Sequence, residues 1–498
     1  MNHGLILGGM NGKSIGRATG AHRIATVLRQ NDWDVEVLDF MYSWPNDKLK
    51  QYLDTRITSS TRFIAYSFTF HTWDNRFHEI FEYAKTINPN IKIIVGGMVT
   101  EACPIVADYY VNGYGEHAVL EVIKDIVGNN PFLKHTIQLR TGGKIINAMD
   151  AYPAFPLTHL DPAVIYERRD FLQSCEALIV ELARGCKFKC SYCTYPILGV
   201  KGDVTRSAES YAQELTRNYD EWGITNYQVA DETFNDRTEK IEKFVNATQQ
   251  LSFKPNLVGF IRADLLAARR DDWSLLHGMN LWGHWYGIES FNHESAKSIG
   301  KGMHPDKIKE ALIDCKKYFQ DRGLYRGSTS MIIGLPGETE ETVRDAWKWY
   351  RENYRGQAVT YYALYIPKSN LLHEKSSYST SWQKKGYREY TGEIPNWSPQ
   401  YTSLEGAGTY WKEGLSQGIL WENNNLNFFK AHQMVDEWHR DYPGDFGPHC
   451  FNIIDAPHSY PDLRDWVNAS VSDIRNNTNA GARRFINNYI EEKLNWRK

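Results

Sequence analysis

The sequence predicts an α/β protein, and three patterns support this. Over residues 1–130, short apolar runs alternate with segments of helical spacing, which is typical of a doubly wound, Rossmann-like parallel sheet. From residue 177, a strand pattern followed by a helix pattern repeats several times. After residue 370 the spacing is mostly helical. We therefore divide the 498 residues into 1–130, a connector at 131–172, a second α/β region at 173–370 and a C-terminal region at 371–498.

The first region contains five predicted strands separated by helices. The strands are predicted at residues 4–9, 33–40, 62–70, 91–97 and 109–113. Amphipathic helices are predicted at residues 20–30, 76–87 and 117–127. A parallel sheet with helices on both faces binds its ligands at the carboxyl ends of the strands.

Glycines collect at those carboxyl ends. They are Gly8, Gly9, Gly96, Gly97 and Gly113, and the last is followed closely by Glu116. Glycine lets the backbone approach a large flat or phosphate-bearing ligand closely. The segment 8–13 fits neither the G-x-G-x-x-G dinucleotide pattern nor a P-loop. The ligand of this edge is therefore not predicted to be a dinucleotide or a nucleoside triphosphate.

The connector is predicted to begin with a β-hairpin over residues 136–146 that turns at residues 141–143. A proline-spaced extended run follows at residues 152–162.

Three cysteines lie within eight residues of the second region. Cys186, Cys190 and Cys193 form a C-x3-C-x2-C pattern, with Tyr192 just before the last thiol. Soft thiolates select zinc or iron–sulfur clusters, and a closed zinc site needs a fourth ligand. No second Cys or His pair follows at matching spacing. Three thiols on a four-iron cluster would leave one iron open, which is a catalytic arrangement.

This pattern resembles the signature of the radical S-adenosylmethionine (SAM) enzymes. The resemblance implies a [4Fe-4S] cluster whose open iron chelates SAM, reductive cleavage of SAM to a 5′-deoxyadenosyl radical, and Tyr192 close to the adenine. It also implies a partial (β/α)6 barrel and an external electron donor such as flavodoxin or ferredoxin. A zinc knuckle or three incidental cysteines are the alternatives.

The motifs that follow agree with that resemblance. Strands are predicted at residues 177–182, 226–230, 257–262, 282–288, 328–333 and 360–366. In such barrels, function collects where the strands end. By resemblance, Asp231 and Glu232 receive the ammonium of SAM, Glu289 holds the ribose, and Ser290 or Arg262 approaches the methionine carboxylate. The glycine-rich stretch that begins at Gly334 resembles the adenine contact.

The first region resembles the cobalamin-binding domain that precedes many radical SAM enzymes. The resemblance rests on residues 94–97 and 108–116, which match the family pattern around Gly96, Gly97, Gly113 and Glu116. Lys13 stands where some cobalamin domains carry the histidine that ligates cobalt, and an ammonium is no metal ligand. The resemblance therefore implies base-off cobalamin. The alternative is a degenerate domain that is kept for packing.

Composition narrows the partners. A formal net charge of −3 argues against a nucleic-acid partner. The sequence contains no apolar segment of 18 residues, so it predicts no membrane span. Seven cysteines in so long a chain are not a disulfide framework, so we expect a cytoplasmic protein. Residues 371–498 are expected to cover the substrate, with a basic amphipathic helix at 483–498 docked on the barrel.

The resulting hypothesis is a cobalamin-dependent radical SAM methyltransferase. It would methylate an unactivated carbon of a small molecule or peptide through a 5′-deoxyadenosyl radical and methylcobalamin. One alternative is a cobalamin-dependent cyclase or rearrangement enzyme without methyl transfer. Another is a non-catalytic cobalamin or SAM sensor, which leaves the three cysteines without a purpose.

Overall fold

A computed structural model describes most of the chain. The described residues are 3–8, 16–68, 76–97, 105–128, 136–139, 142–148, 163–193, 200, 202–366, 377–396, 418–441, 447, 449–454, 459–460, 462–468 and 471–496. Gly9, Lys13 and the whole proline-spaced run at 152–162 lie outside them.

The first region forms a mostly parallel sheet with helices on both faces. Its strands are β1 Gly4–Gly8, β2 Val35–Leu38, β3 Phe63–Phe68, β4 Lys92–Gly97, β5 Tyr109–Asn112, β6 Thr136–Gln138 and β7 Lys144–Asn147. Its helices are α1 Thr19–Arg29, α2 Asn46–Arg56, α3 Arg76–Ile87 and α4 Glu116–Gly128. The strand order is β2-β1-β3-β4-β5-β7-β6. The predicted doubly wound sheet is confirmed.

The predicted hairpin forms and extends this sheet. β6 pairs antiparallel with β7, and β7 pairs parallel with β5, with Tyr109 opposite Lys144. The hairpin is therefore more than a connector, because it supplies two further strands of the first sheet.

Alternate residues of the central strands face the two sides of the sheet, as strand geometry requires. Ile6 points to the face covered by α1 and α4, whereas Leu5 and Leu7 point to the face covered by α2 and α3. All three side chains are at most 2% exposed. The continuous apolar runs in the sequence reflect this burial on both faces.

The second region is a parallel sheet of repeated strand–helix units. Its strands are β8 Ala177–Glu181, β9 Ala183–Arg184, β10 Val204–Thr205, β11 Asn226–Ala230, β12 Asn256–Ile261, β13 Leu281–Glu289, β14 Arg326–Ile333 and β15 Ala358–Ala363. The helices are α5 Ala208–Trp222, α6 Thr238–Gln249, α7 Ala263–Ala268, α8 Asp272–Gly278, α9 His293–Ser298, α10 Pro305–Gln320 and α11 Glu340–Asn353. Six of these strands pair in the order β15-β14-β13-β12-β11-β8, and β9 pairs with β10 separately. This is the expected open, six-stranded barrel.

The C-terminal region contributes two short strands and further helices. They are α12 Ser377–Ser381, β16 Arg388–Glu389, β17 Trp421–Glu422, α13 Phe428–Asp441, α14 Leu463–Asn468 and α15 Val471–Asn495. A short 3₁₀ helix, Cys450–Ile454, packs inside the concave side of the barrel sheet, where Cys450 and Ile453 share one buried cluster with Val258 and Trp282. This segment closes the barrel at the end opposite the carboxyl ends of the strands.

The expectation that the last helix docks on the barrel was wrong. Tyr489 and Leu494 of α15 pack into the core of the first domain, beside α2. Lys493 is fully buried there, with its Nζ 3.3 Å from Glu36 and donating to Val37 O at 2.7 Å. Spacing predicts an amphipathic helix but does not say which surface it covers. Among the described residues, no helix combines the length and apolar character of a membrane span.

Candidate functional site

The three thiols of the C-x3-C-x2-C pattern lie on the loop that follows β9. All three are half-buried, and the described cysteines form no disulfide. The loop begins at Gly185, whose φ is +84°. A Cβ atom at this position would lie 2.2 Å from Gly202 O, so only glycine fits between the loop and the chain beyond β9. The thiols are thereby held at the carboxyl end of the barrel.

Two neighbouring strand ends contact the thiols. Cys186 Sγ lies 3.5 Å from Thr233 Oγ1, which follows β11. Arg262, which follows β12, points its Nη1 at Cys190 Sγ over 3.5 Å and lies 3.8 Å above the ring of Phe188. Hydrogen bonds to cluster sulfurs are one way in which a protein tunes an iron–sulfur centre.

The donor set fits an iron–sulfur cluster better than a single ion. Among the described residues, no three His, Cys, Asp or Glu side chains converge as ligands of one ion must. Three cysteines of a cluster bind three different iron atoms and need no such convergence. Thiolate is also the ligand that these clusters require.

The Asp231-Glu232 pair has divided roles. Asp231 is buried, its Oδ2 lies 2.6 Å from Lys240 Nζ, and its Oδ1 accepts the Thr233 N–H at 3.0 Å. Burial raises the pKa of Asp231, which Lys240 partly offsets. The side chain of Glu232 is exposed and makes no described hydrogen bond or ion pair, although the Glu232 carbonyl accepts from Thr233 Oγ1 at 2.7 Å. Burial and Asp231 raise the pKa of Glu232 to about 7. Of the two carboxyl groups, Glu232 is the one placed to meet an added cation.

Lys240 holds the loop that carries this pair, and the sequence-based prediction missed it. Its buried ammonium lies 3.0 Å from Asp203 and 3.6 Å from Asp236 in addition to Asp231. Burial works against the charge, but Asp231 and Asp203 outweigh it and raise the pKa of Lys240. The sequence feature that could have identified Lys240 is a lysine on the face of α6 that points inward.

Tyr192 and Glu289 are brought together. The Tyr192 hydroxyl donates to Glu289 Oε1 at 2.7 Å, and Lys301 Nζ lies 2.9 Å from the same oxygen. Glu289 has a φ of +71°, an unusual conformation for a residue with a side chain, and such outliers cluster at functional sites. Lys301 is a second residue that sequence reasoning missed.

Ser290 and Gly334 meet at Glu338. The Ser290 hydroxyl donates to Glu338 Oε1 at 2.6 Å, and the Gly334 N–H donates to Glu338 Oε2 at 2.9 Å. A Cβ at Gly334, whose φ is +112°, would lie 2.3 Å from the Trp421 ring. The C-terminal region therefore packs directly on the predicted adenine loop. The predicted contact of Ser290 with the methionine carboxylate remains a prediction.

Arg262 is held by a carboxylate as well as facing Cys190. Its Nε donates to Asp264 Oδ1 and its Nη2 donates to Asp264 Oδ2, both at 2.8 Å. This bidentate pair fixes the guanidinium plane at the end of β12.

The glycines of the first domain divide into two groups. A Cβ at Gly8 would lie 2.9 Å from the Ala18 Cβ. The missing side chain at Gly8 therefore lets the start of α1 pack against the end of β1. Gly96, Gly97 and Gly113 are partly exposed at the carboxyl edge of the sheet. A partly open glycine edge fits the backbone approach that a large corrin requires.

Glu116 links this edge to the loop that carries Cys186, Cys190 and Cys193, which we name the thiol loop. Its Oε1 accepts from Arg184 Nη2 at 2.5 Å, and Arg184 also pairs with Glu181 at 2.7 Å and stacks over Tyr114 at 4.1 Å. Burial opposes ionisation of Glu116, but Arg184 outweighs it and holds the pKa below its ordinary value. Arg184 stands two residues before Cys186, so this one guanidinium joins the glycine edge to the thiol loop.

A large cavity lies away from these groups. It has a volume of about 630 Å³ and is lined by Asn226, Asn256 and Trp282 near the amino ends of the barrel strands. Function in such barrels collects at the opposite end of the strands. We therefore do not assign this cavity to the reaction.

Family models match both domains. A B12 binding domain model matches residues 11–123, and a radical SAM superfamily model matches residues 180–349. These matches agree with the two resemblances drawn from the sequence.

Two curated relatives share part of the chain. The chain is 25% identical over 292 residues to the uncharacterized methyltransferase PH0819 of Pyrococcus horikoshii, which is 55% of this chain and 61% of that protein. It is 27% identical over 188 residues to a tRNA-2-methylthio-N(6)-dimethylallyladenosine synthase of Finegoldia magna, which is 36% of this chain and 40% of that protein. The chain thus matches less than two thirds of the length of either relative.

Solved structures share the whole architecture. The radical SAM methyltransferase TsrM of Kitasatospora setae, solved with cobalamin and a [4Fe-4S] cluster, has a TM-score of 0.65 at 15% identity, over 98% of this chain and 100% of that one. The cobalamin-dependent SAM radical enzyme OxsB, solved with aqua-cobalamin and SAM, has a TM-score of 0.55 at 13% identity, over 99% of this chain and 71% of that one. At these identities the likeness establishes the fold. The chain therefore combines a B12 binding domain with a radical SAM domain that carries the three-cysteine loop, and the Glu116–Arg184 contact joins the two.

Proposed function

We propose that this protein is a methyltransferase that uses SAM, a [4Fe-4S] cluster and cobalamin to methylate an unactivated carbon of a small molecule or peptide. The observation that carries the proposal is the Glu116–Arg184 contact of 2.5 Å. It supports a corrin site and a SAM site that share one border, because Arg184 leads directly into the thiol loop. A reaction that uses both cofactors on one substrate needs that proximity.

When bound, the cluster supplies the electron that cleaves SAM, and cobalamin carries the methyl group. Cys186, Cys190 and Cys193 would hold the cluster, and Glu232 would receive the SAM ammonium. Glu289, positioned by Tyr192 and Lys301, would accept hydrogen bonds from the ribose. A low-potential electron would come from a protein such as flavodoxin or ferredoxin.

The names of similar proteins favour methyl transfer. PH0819 is named as a methyltransferase, and TsrM is a radical SAM methyltransferase solved with a tryptophan substrate. These names support a methyl acceptor of small-molecule size for this chain. OxsB is named more broadly as a cobalamin-dependent SAM radical enzyme, a description that fits the cyclase or rearrangement alternative as well.

The decisive experiment measures the products of SAM. Methyl transfer to an unactivated carbon consumes two SAM per turnover and should give one S-adenosylhomocysteine for each 5′-deoxyadenosine. We would incubate anaerobically reconstituted protein with SAM, reductant and host extract, with and without cobalamin. S-adenosylhomocysteine that depends on cobalamin is the expected result.

The opposite results are equally clear. If 5′-deoxyadenosine forms without S-adenosylhomocysteine, the cyclase or rearrangement alternative replaces methyl transfer. If neither product forms although cluster and cobalamin are bound, the sensor alternative replaces both.

A further inference from the structure

One face of the barrel interior is aromatic and partly open. Phe260 of β12 and Trp285 of β13 are register partners, and their rings stack at 4.6 Å between centroids. Phe451 of the Cys450–Ile454 segment meets both rings edge-on at 4.7 Å. All three rings are half-buried, whereas Val258 and Ser328 on the closed side are fully buried. We name Phe260, Trp285 and Phe451 the aromatic face.

The aromatic face lies beneath the thiol loop. Phe260 stands two residues before Arg262, which directly follows β12 and is itself extended, so the two residues share one side of the chain and lie about 7 Å apart. Arg262 contacts Cys190 Sγ. A ring bound on the aromatic face would therefore sit between the closed end of the barrel and the proposed SAM site.

His449 fixes one border of this face. Its ring packs edge-on against Trp285 at 4.4 Å, and its Nδ1 accepts the Phe451 N–H at 3.2 Å. Burial lowers the pKa of His449 to about 3, so the imidazole stays neutral. The border therefore adds no positive charge.

Three basic residues at the rim are already paired. Arg184 is held by Glu116 and Glu181, Arg262 by Asp264, and Lys301 by Glu289. None of these three cations is left for a carboxylate of the substrate. Aromatic faces, in contrast, attract other rings and cations.

We propose that the aromatic face binds an aromatic ring of a small substrate that carries no net negative charge. This inference rests on the proposed function, since it names the substrate class of the same site.

The test compares three probes on protein that holds cluster, cobalamin and SAM. Tryptamine carries a ring and a cation, 2-cyclohexylethylamine a cation without an aromatic ring, and indole-3-acetate a ring with an anion. By anaerobic equilibrium dialysis, the tryptamine Kd should be lower than that of either other probe by about tenfold. Equal affinities for tryptamine and cyclohexylethylamine, or tighter binding of indole-3-acetate, would overturn the inference.

Substitutions locate the binding. Phe260→Leu should raise the tryptamine Kd by about fivefold or more. The matched control is Phe253→Leu, because Phe253 stacks on Tyr219 at 4.1 Å on the outer side of the barrel, and its Kd should not change. Equal changes in the two variants would contradict the assignment. If Phe260→Leu does not fold, Trp285→Phe should keep the affinity within about threefold and Trp285→Leu should lose it.

The products of SAM separate this inference from the proposed function. Cobalamin-dependent S-adenosylhomocysteine together with no preference for tryptamine would overturn the aromatic face alone. Preference for tryptamine without S-adenosylhomocysteine would support the aromatic face and reject methyl transfer.

Discussion

The phenol of Tyr192 donates a hydrogen bond to Glu289 Oε1 at 2.7 Å, and this bond ties the thiol loop to the end of β13. Burial, followed by Glu289, raises the pKa of Tyr192 well above its ordinary value, so the phenol remains a donor at neutral pH. The pair joins two parts of the chain that are 97 residues apart.

Tyr192→Phe should weaken SAM binding more than it slows chemistry. Losing this hydrogen bond leaves the buried Glu289 carboxylate held by Lys301 and costs about 1.5 kcal/mol, which is about tenfold in affinity. We expect the KM for SAM to rise by this factor with little change in kcat, measured as 5′-deoxyadenosine formation. The control is Tyr83→Phe, which removes a tyrosine–carboxylate bond of 2.8 Å to Asp54 on the first domain. An equal effect of both variants would refute the link.

Each of Cys186→Ala, Cys190→Ala and Cys193→Ala should abolish reductive cleavage of SAM, and wild type should bind about four iron and four sulfide. Cys175→Ala, Cys315→Ala and Cys450→Ala should retain cleavage. Burial raises the pKa of Cys315 and of Cys450 to about 12, so neither thiol ionises at neutral pH. Release of 5′-deoxyadenosine by Cys186→Ala protein under dithionite would disprove the cluster assignment.

Glu338 should make the stability of the protein depend on pH. Burial raises its pKa from 4.5 to about 7, so the folded state keeps a proton that the unfolded state loses as the pH rises between these values. The folded state is therefore penalised by about 3 kcal/mol above pH 7 and by nothing below pH 4.5.

Glu338→Gln removes this penalty and keeps the contacts, because the amide oxygen can accept from Gly334 and Leu335 while the amide nitrogen meets Ser290. The thermal midpoints of the variant and of wild type should converge near pH 4.5. At pH 8 the variant should have the higher thermal midpoint. A separation that does not change with pH would show that the carboxyl group is not responsible.

Glu116 and Arg184 should be strongly coupled. Both side chains are at most 7% exposed, and removing one partner of a buried ion pair costs about 3 kcal/mol or more. In a double-mutant cycle of Glu116→Gln and Arg184→Met, the two losses of unfolding free energy should therefore add to far more than the loss in the double variant. The exposed Lys85–Glu82 pair of α3 is the control and should couple by about 0.5 kcal/mol or less. Similar coupling in the two cycles would mean that the domain contact is weak.

Lys13→Ala should leave cobalamin binding and its base-off spectrum nearly unchanged, because an ammonium forms no bond to cobalt. Absorbance titration with hydroxocobalamin measures both. Loss of binding in the variant would reveal a role for Lys13, and no binding by wild type would support the degenerate-domain alternative.

Strand positions were predictable because burial on both faces leaves continuous apolar runs. The predicted 226–230 and the observed Asn226–Ala230 agree at both ends. Helix α2 was not predicted, since only Leu49, Tyr52 and Leu53 of its polar sequence are apolar and buried. Three positions are too few to stand out as a helical period.

The candidate site was predictable as a set of motifs, not as a set of contacts. The Asp231-Glu232 pair was found as a motif, but nothing local shows that Asp231 is held by Lys240, nine residues away on a helix, while Glu232 remains open. Arg184 was hidden for the same reason, because its partner Glu116 belongs to another domain. Long-range pairing depends on how the sheets are placed, which spacing alone does not encode.

The docking of α15 on the first domain has a consequence for synthesis. Chains emerge from the ribosome N-terminus first, and domains usually fold as they appear. Here the apolar groove beside α2 stays open until Phe485, Tyr489 and Leu494 have been made, more than 400 residues after α2. Glu36 likewise pairs with two cations in the folded protein, Arg56 and Lys493. Until Lys493 has been made, only Arg56 of these two is present. A nascent or prematurely terminated chain thus exposes this apolar groove on an incompletely packed first domain. Chaperones and proteases recognise such exposed apolar surface before any cofactor is bound.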